Sequence, residues 1–556
     1  MTNLVFCDIE TDDIDATVIW CAVCRHNGVS EVICNEKDFK EYVSNRSEET
    51  FVFHNGIGFD VPVLDRLWGV TFDRNRVVDT LVLSRLADPS RSGGHSLRNW
   101  GNILGFPKGD HEDWTRLTPA MIDYCLRDVE LTEAVFKRLM VELEGFSKES
   151  QDLEHQVQWI IQEQERNGWL LDQRLCHTLC ARFKEEMIQI DDELHKAFPP
   201  IVTQRFSKTQ IDKKLGTFKE LKPRVEVFNP GSRQQCADRL KSKGAVWTRV
   251  TETGRPVVDE ASLRANEHIP EAKLVLRYLL LQKREAQVRS WLEHVSADER
   301  VHGRVITNGA ITGRMTHQSP NMAQVPSVNS EYGKECRDCW IVPEGRKLVG
   351  VDASGLELRM LAHYMGDEEF TNVLLRDDIH TRNQMAAGLD TRPQAKTFIY
   401  AFLYGAGDAK IGSIVGGSAK DGGELRKRFL RNTPSLETLR TRVGQKAGKG
   451  FLVGLDGRKL WVRSEHSALN TLLQAAGAIV MKRALVLLDS YAKQHNIDYK
   501  FVGNIHDEIQ SEVAAEQAEK YGWLAVECIK AAGISFELAC PLDGEYSIGS
   551  TWAETH

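Results

Sequence analysis

Apolar residues come first in short blocks and later in long helical rows, so the chain changes character along its length. Residues 4–9 form a Val/Ile/Phe-rich run ending in acids, which predicts a strand; 50–53 predict a second, running into His54-Asn55-Gly56-Ile57-Gly58, where the glycines mark a turn. Asp60 opens a helical pattern with Val61, Val63, Leu64 and Leu67 on one side, and Thr118-Pro119 supplies an N-cap and a first-turn proline for a helix running through Asp128 to Leu143. Strands alternating with helices predict an α/β domain over 1–145. From 150 to 300 the pattern is mostly helical, its longest unit being 272–295 with Leu274, Tyr278, Leu281, Val288, Trp291 and Leu292 among bases. Further on, 347–351 predict a strand entering Asp352-Ala353, and 499–502 a strand entering His506-Asp507-Glu508, then 509–513, a hairpin with acids at its bend.

Composition then narrows the class. The 556 residues are 42% hydrophobic and 27% charged, an ordinary globular balance that excludes disordered and collagen-like chains. The net charge of −8 argues against a nucleic-acid binder until it is divided. Residues 1–200 carry 36 acids and 21 bases, 201–500 carry 33 and 48, and 501–556 carry 10 and 2. The middle, at +15, is built to face an anion. The most basic stretch, 205–224, has seven bases (Arg205, Lys208, Lys213, Lys214, Lys219, Lys222, Arg224) against Asp212 and Glu220. It reads either as a solvated loop or as an element that tracks phosphates. The longest apolar run, 472–481, is too short for a membrane span, and no basic segment precedes an apolar one at the start. Twelve cysteines in 556 residues are too few for a disulfide scaffold and fit a reducing cytosol, and the pairs Cys21/Cys24 and Cys336/Cys339 lie too far apart for a zinc ribbon. Both pairs read as buried or incidental thiols.

Asp8-x-Glu10 sets two carboxylates at alternate positions of a strand end, hence on one face. Alone, that is most simply a solvated pair. Asp60 at a helix start and Tyr124-x-x-x-Asp128, one helical turn apart, add two more acids and a phenol. Acids brought together need cations, and carboxylate ligands suit hard Mg²⁺ or Mn²⁺, which in pairs cleave phosphodiesters. In their order, D-x-E, N-x-x-x-x-D (Asn55 to Asp60) and Y-x-x-x-D, these motifs resemble the proofreading 3′–5′ exonucleases with an RNase-H-like fold. The resemblance covers 1–145 and implies Asp8, Glu10, Asp60 and Asp128 as metal ligands, with Tyr124 positioning the attacking water.

In the second half, Arg392-x-x-x-Lys396-x-x-x-Tyr400-x-x-x-Tyr404-Gly405 is the informative row. Steps of four in a helix turn only about 40° each, so Arg392, Lys396 and Tyr400 share one slowly rotating face. That face is either a solvated basic stripe beside a core aromatic or a grip on a triphosphate. With Asp352-Ala-Ser-Gly-Leu-Glu-Leu-Arg, 392–405 and Ile505-His-Asp-Glu, the chain resembles the three polymerase motifs of family A DNA polymerases. Thr312-Gly-Arg-Met-Thr-His, Asp378-Ile-His-Thr and 466–478 strengthen the likeness, which spans nearly the whole chain. It is most similar to replicative polymerases of T-odd, short-tailed bacteriophages.

The resemblance implies a multidomain α/β architecture: an RNase-H-like exonuclease domain (1–145), then a right hand with a mainly helical thumb (146–300, a short basic insertion near 201–226), palm (301–370 and 466–556) and fingers (371–465). It implies two Mg²⁺ ions at each site, Mn²⁺ being an alternative. In the palm they are held by Asp352 and Asp507 with the Ala353 carbonyl, and Glu508 has a supporting catalytic role. Arg392, Lys396 and His380 face dNTP phosphates, with Lys396 a proton donor to pyrophosphate. Tyr400 stacks near the incoming nucleotide, and Glu357 fills the space a ribose 2′-hydroxyl needs. Tyr404 and Gly405 lie beside the templating base, while Arg314, Gln474 and His506 touch the primer–template. Implied partners are primer–template DNA, dNTPs and replisome proteins such as a helicase–primase and a single-stranded DNA-binding protein, in the cytoplasm of a host bacterium, with no membrane. The family's best-known phage members recruit thioredoxin through a large thumb insertion; here 201–226 is much shorter, which puts that partner in doubt. A single-subunit RNA polymerase would use similar acids, but Glu357 and the exonuclease motifs oppose it. Intact acids oppose a non-catalytic replisome scaffold. A gap-filling repair polymerase stays open, although no flap-nuclease segment precedes Met1.

Overall fold

β1 (Leu4–Thr11) sits at the middle of a five-stranded mixed sheet, flanked by β2 (Ile19–His26), β3 (Val29–Ile33), β4 (Thr50–Phe53) and β5 (Val77–Asp79) in the order β3-β2-β1-β4-β5. The structure is a computed structural model describing residues 3–211, 214 and 216–556. β1 pairs antiparallel with β2 and parallel with β4. Its alternation divides two cores: Val5, Cys7 and Ile9 enter one with α1 (Asp60–Trp68), while Phe6 enters the other with α2 (Pro119–Glu142). Asp8 and Glu10 continue the Phe6 side, toward α2. That helix starts where sequence predicts, Thr118 Oγ1 accepting from the Met121 N–H at 3.2 Å. α3 (Lys148–Asn167) follows.

The chain divides into two compact units, Met1–Trp169 with His302–Gln324 and Val342–His556, and Leu170–Val301 with Val325–Ile341. The second unit begins at Leu170, and α3 packs within the larger one. In the smaller unit α4 (Gln173–Ala197) and α5 (Pro270–Glu293) lie against each other, tied by Arg277 to Glu186. Cys336 and Cys339 are buried here, as Cys21 and Cys24 are in the first sheet, in keeping with structural thiols. The basic segment is not a loop. It is a two-stranded ribbon, β6 (Ile201–Ile211) and β7 (Phe218–Glu226), whose described side chains are almost all exposed, Phe206, Phe218 and Val225 included. Its Thr/Val/Ile/Phe content favours extended pairing, which the charge count obscured. Asp212 and Lys213 lie outside the described residues.

The second sheet is antiparallel, in the order β9 (Tyr499–Ile505), β10 (Glu508–Ala514), β8 (Arg346–Ala353), β11 (Gly544–Gly549). α6 (Leu356–Met365) follows β8, and α7 (Arg392–Leu403) lies in a helical stretch beyond it. α9 (Ala518–Ser535) covers β8 and β11, and α8 (Ala468–Gln494) packs on α3 and α9. The segment 465–494 is long and apolar enough to cross a membrane, contrary to expectation, because 472–481 continues past Lys482 and Arg483 into 484–488; 72% of its most apolar window is buried inside the fold, as in a core helix. Lys482 is tolerated there because its ammonium meets Glu154 of α3 at 2.6 Å. Glu154 also takes Arg458 at 2.6 Å, and Arg458 takes Asp456 at 2.6 Å, so four charges close to neutrality inside the core.

Candidate active sites

The first site is built on the end of β1. Asp60, at the start of α1, accepts the Ile9 N–H at 3.2 Å, which brings its carboxylate beside Asp8 and Glu10. Asp128 and Tyr124 project from α2 one turn apart; Asp128 meets Lys108 at 2.6 Å, and the Lys108 ammonium stands 4.9 Å over the Tyr124 ring. Burial first, then the charges of Asp60, Glu10 and Asp128, pushes the Asp8 carboxyl well above the usual range. Glu10 is pushed up to about 9 by burial and then Asp128, and Asp60 to about 7 chiefly by burial. Glu10 Oε1 and Asp128 Oδ1 are buried with no hydrogen-bond partner. Two orphaned carboxylate oxygens in an acid cluster with one lysine fit a site for divalent cations. The cluster opens into a polar cleft of about 510 Å³, whose walls carry Arg85, Lys108 and Arg304.

Sequence reasoning missed three residues here. Asp79 is buried and accepts from the N–H groups of Asn55 (2.8 Å), Ile57 (3.1 Å) and Leu81 (2.9 Å), so it fixes the turn that delivers Asp60. Its position before Thr80 carried an N-cap signal. Lys108 and Cys125 carried none: a lone lysine in a loop and a cysteine on an apolar helix face look ordinary. Cys125 Sγ lies 3.7 Å from Asp8 Oδ2.

The second site stands at the edge of the antiparallel sheet. Asp352 ends β8, and Asp507 lies in the two-residue bend between β9 and β10, where His506 adopts φ +61°. The Ala353 N–H donates to the Asp507 carbonyl at 3.3 Å, clamping the two acidic corners together. The Asp352 carboxyl is pushed up to about 7 by desolvation and then by Asp507, Glu508, Glu545 and Glu357. Asp507 is raised by burial and by Glu357. This acid-rich edge, answered chiefly by Arg314, again fits cations.

Glu508, next to Asp507 in the chain, takes a different set of partners. In register it lies opposite Asp352, yet its carboxylate is engaged elsewhere, accepting from Gln510 Nε2 and Trp552 Nε1 at 2.6 Å each and meeting His556 at 2.8 Å. Through these three partners it anchors the C-terminal segment.

Glu357, in the first turn of α6, is shared: Arg314 Nη2 approaches its Oε1 at 3.0 Å, and the Tyr404 hydroxyl donates to the same oxygen at 3.1 Å. On α7 the buried face is Ala395, Phe398, Ile399 and Phe402, so Arg392 and Lys396 are exposed on the other, with Tyr400 half-buried below them. Arg392 pairs with Asp378 next to His380, whose ring lies 6.2 Å from that of Tyr400; Tyr400 and Tyr404 stack at 6.3 Å. Tyr400 therefore joins a basic group (Arg392, His380, with Lys396 one turn along α7) to an acidic one (Asp507, Glu357, with Arg314, His506 and Tyr404). Gly405 follows with φ +71°, its carbonyl 3.1 Å from His466 Nε2. Gln474, half-buried on α8, makes no hydrogen bond to either group among the described residues.

Paired acids on an antiparallel sheet, facing a helix that presents bases and stacked tyrosines, define a nucleic-acid polymerase of the right-hand class. The comparisons agree. The family model for DNA polymerase family A matches residues 203–554. The DNA-directed DNA polymerase of Enterobacteria phage T3 is 33% identical over 93% of this chain and 95% of its own length, and that of Escherichia phage T7 is 32% identical over 100% of both. The solved POL domain of Pol1 from M. smegmatis, in complex with DNA primer-template and dNTP, shares the fold at TM-score 0.83 and 18% identity, covering 100% of this chain and 96% of that one. The chain belongs to DNA polymerase family A, as a DNA-directed DNA polymerase with phage replicative relatives.

Proposed function

We propose that the chain extends a primer on a DNA template at the Asp352/Asp507 edge and shortens it 3′–5′ at the Asp8/Glu10/Asp60/Asp128 cluster, in phage DNA replication. The observation that carries the reading is the pair of separate acid clusters, each with too few internal cations to neutralise it. Divalent cations, Mg²⁺ with Mn²⁺ as an alternative, would be held by Asp352, Asp507 and the Ala353 carbonyl at one site and by the four acids at the other, where they lower the pKa of a nucleophile and stabilise a leaving oxygen. This chain's own residues do the positioning. Arg392, Lys396 and His380 bind the dNTP phosphates, and Lys396, exposed one turn along α7 from Arg392, protonates the leaving pyrophosphate. Tyr400 stacks on the nucleotide. Glu357, held by Arg314 and Tyr404, closes the space beside its 2′ carbon. Arg314, His506, Gln474, Tyr404 and Gly405 follow the primer–template, reading minor-groove acceptors common to all correct pairs. At the other site Tyr124 orients water, while Lys108, Arg85 and Arg304 hold the single strand. The β6–β7 ribbon grips duplex phosphates; its shortness and basic charge favour direct DNA contact over a thioredoxin-type clamp.

Primer extension with Mg²⁺ and dNTPs tests the assignment. Asp507→Ala is expected to abolish extension while primer shortening persists, and Asp8→Ala/Glu10→Ala to extend without shortening. Normal extension by Asp507→Ala overturns the palm reading, and undiminished shortening by the double variant overturns the nuclease reading.

A further inference from the structure

The acid cluster on β1 contains a donor that neither phosphodiester cleavage nor magnesium requires. Cys125 lies three residues before Asp128 on α2, so the two share a face. Its sulfur is completely buried, 3.7 Å from Asp8 Oδ2 and 3.6 Å from the Asp8 carbonyl. One ligand atom each from Asp8, Glu10 and Cys125 lies within 4.8 Å of the others. A second observation points to a ligand: Glu10 Oε1, on a residue only 6% exposed, has no partner.

We propose that Asp8, Glu10 and Cys125 form a mixed oxygen–sulfur subsite that takes a thiophilic divalent cation, of the zinc and cadmium class, in competition with magnesium. The inference rests on the reading that these acids hold divalent cations. The geometry is what a tetrahedral ion needs: with metal–oxygen bonds near 2.1 Å and a metal–sulfur bond near 2.3 Å, oxygen and sulfur donors stand about 3.6 Å apart. The Asp8 Oδ2 to Cys125 Sγ distance is 3.7 Å. Magnesium gains nothing from a thiolate, because it is a hard ion that demands octahedral oxygen ligands. Zinc and cadmium gain a strong bond, and Asp128, whose charge acts on Glu10 and whose Oδ1 is also unpartnered, offers a third oxygen nearby. Binding exchanges the S–H bond for a sulfur–metal bond, and the proton leaves to solvent; no electron moves. The consequence is a nuclease site that a soft cation occupies unproductively, while the palm, whose acid cluster contains no cysteine among the described residues, is spared.

Cadmium is the probe, titrated into the full chain without magnesium while the ultraviolet thiolate-to-cadmium charge-transfer band is followed. Wild type is expected to show the band, and magnesium to suppress it competitively. Cys125→Ala and the isosteric Cys125→Ser are expected to lose it and to bind cadmium at least about tenfold more weakly, the lower end of what losing even an outer-shell partner costs. Both should extend primers as wild type does, which reports that they fold. Cys34→Ser, which removes the one exposed cysteine, should keep the band. Absence of the band in wild type, or its persistence in Cys125→Ala, overturns the subsite. The nuclease reading fails separately, if Asp8→Ala/Glu10→Ala still shortens primers with magnesium.

Discussion

Glu154 offers the sharpest test of how the larger unit is held together. It is fully buried on α3, and a single oxygen, Oε1, receives both Arg458 and Lys482 at 2.6 Å. With Asp456 the four charges cancel. Glu154→Met leaves two buried cations sharing Asp456, a net charge of +1. Removing one partner of a buried ion pair costs about 3–5 kcal/mol, chiefly because the charge left behind is desolvated and unpaired. At about 1.36 kcal/mol per decade, that corresponds to amide exchange accelerated by roughly 150-fold to 5,000-fold. Hydrogen exchange read by mass spectrometry suits a chain of two units, since it reports α3 and α8 without assuming a single unfolding step. The acceleration should concentrate in α3, in α8 and around 451–461, and spare α4 and α5. Glu154→Met/Lys482→Met restores neutrality around the Arg458–Asp456 pair and should recover at least about a decade relative to the sum of the two single effects. Exchange in α3 and α8 within tenfold of wild type in Glu154→Met, or strict additivity in the double variant, would refute the claim that charge cancellation holds this core.

Other expectations follow from the same structure. Burial pulls the Lys482 ammonium down to about 8 despite Glu154. The unfolded chain therefore binds more protons above that value, so wild-type stability should rise with pH from about 8 toward the ordinary lysine range, and Lys482→Met should flatten the rise. Equal slopes of urea midpoint against pH in the two proteins contradict the assignment. Glu357→Ala frees Tyr404 and opens the space beside the sugar, so rNTP incorporation should increase; unchanged sugar selectivity sinks the gate. Reversing Lys219, Lys222 and Arg224 on the exposed ribbon should lower the slope of log affinity for duplex DNA against log salt by about 0.9 per lost phosphate contact, up to about 2.7. A slope equal to that of wild type would show that β6 and β7 do not touch the phosphates.

What the sequence made legible, and what it hid, divides along one physical line. Asp8, Glu10, Asp352 and Asp507 were readable because a strand end or a hairpin bend fixes where neighbouring carboxylates point, and acids so placed need an external reason to be together. The α7 row was readable for the same reason: Arg392, Lys396 and Tyr400 lie on one face at any tertiary placement, since local geometry alone sets the spacing. Glu508 shows the limit of that logic. Its place in the motif was plain, but its partners, Trp552 and His556, lie more than forty residues away and are brought in only by the C-terminal fold. Lys108 and Cys125 failed for the same cause, since each acts through a partner on another element and neither stands in a pattern of its own, while the N-cap signal at Asp79 did not reveal its partners in the 55–57 turn. The basic segment failed differently. Counting charge identified something that faces an anion but gave no shape, and the Thr, Val, Ile and Phe residues between the bases, which set the pairing of β6 with β7, held the missing information. A basic ribbon presents its charges at the fixed spacing of a strand, which a solvated loop cannot do. If it tracks a duplex, it acts as a rigid element along phosphates rather than as a diffuse cloud of charge, and the salt slope of the triple reversal measures that difference.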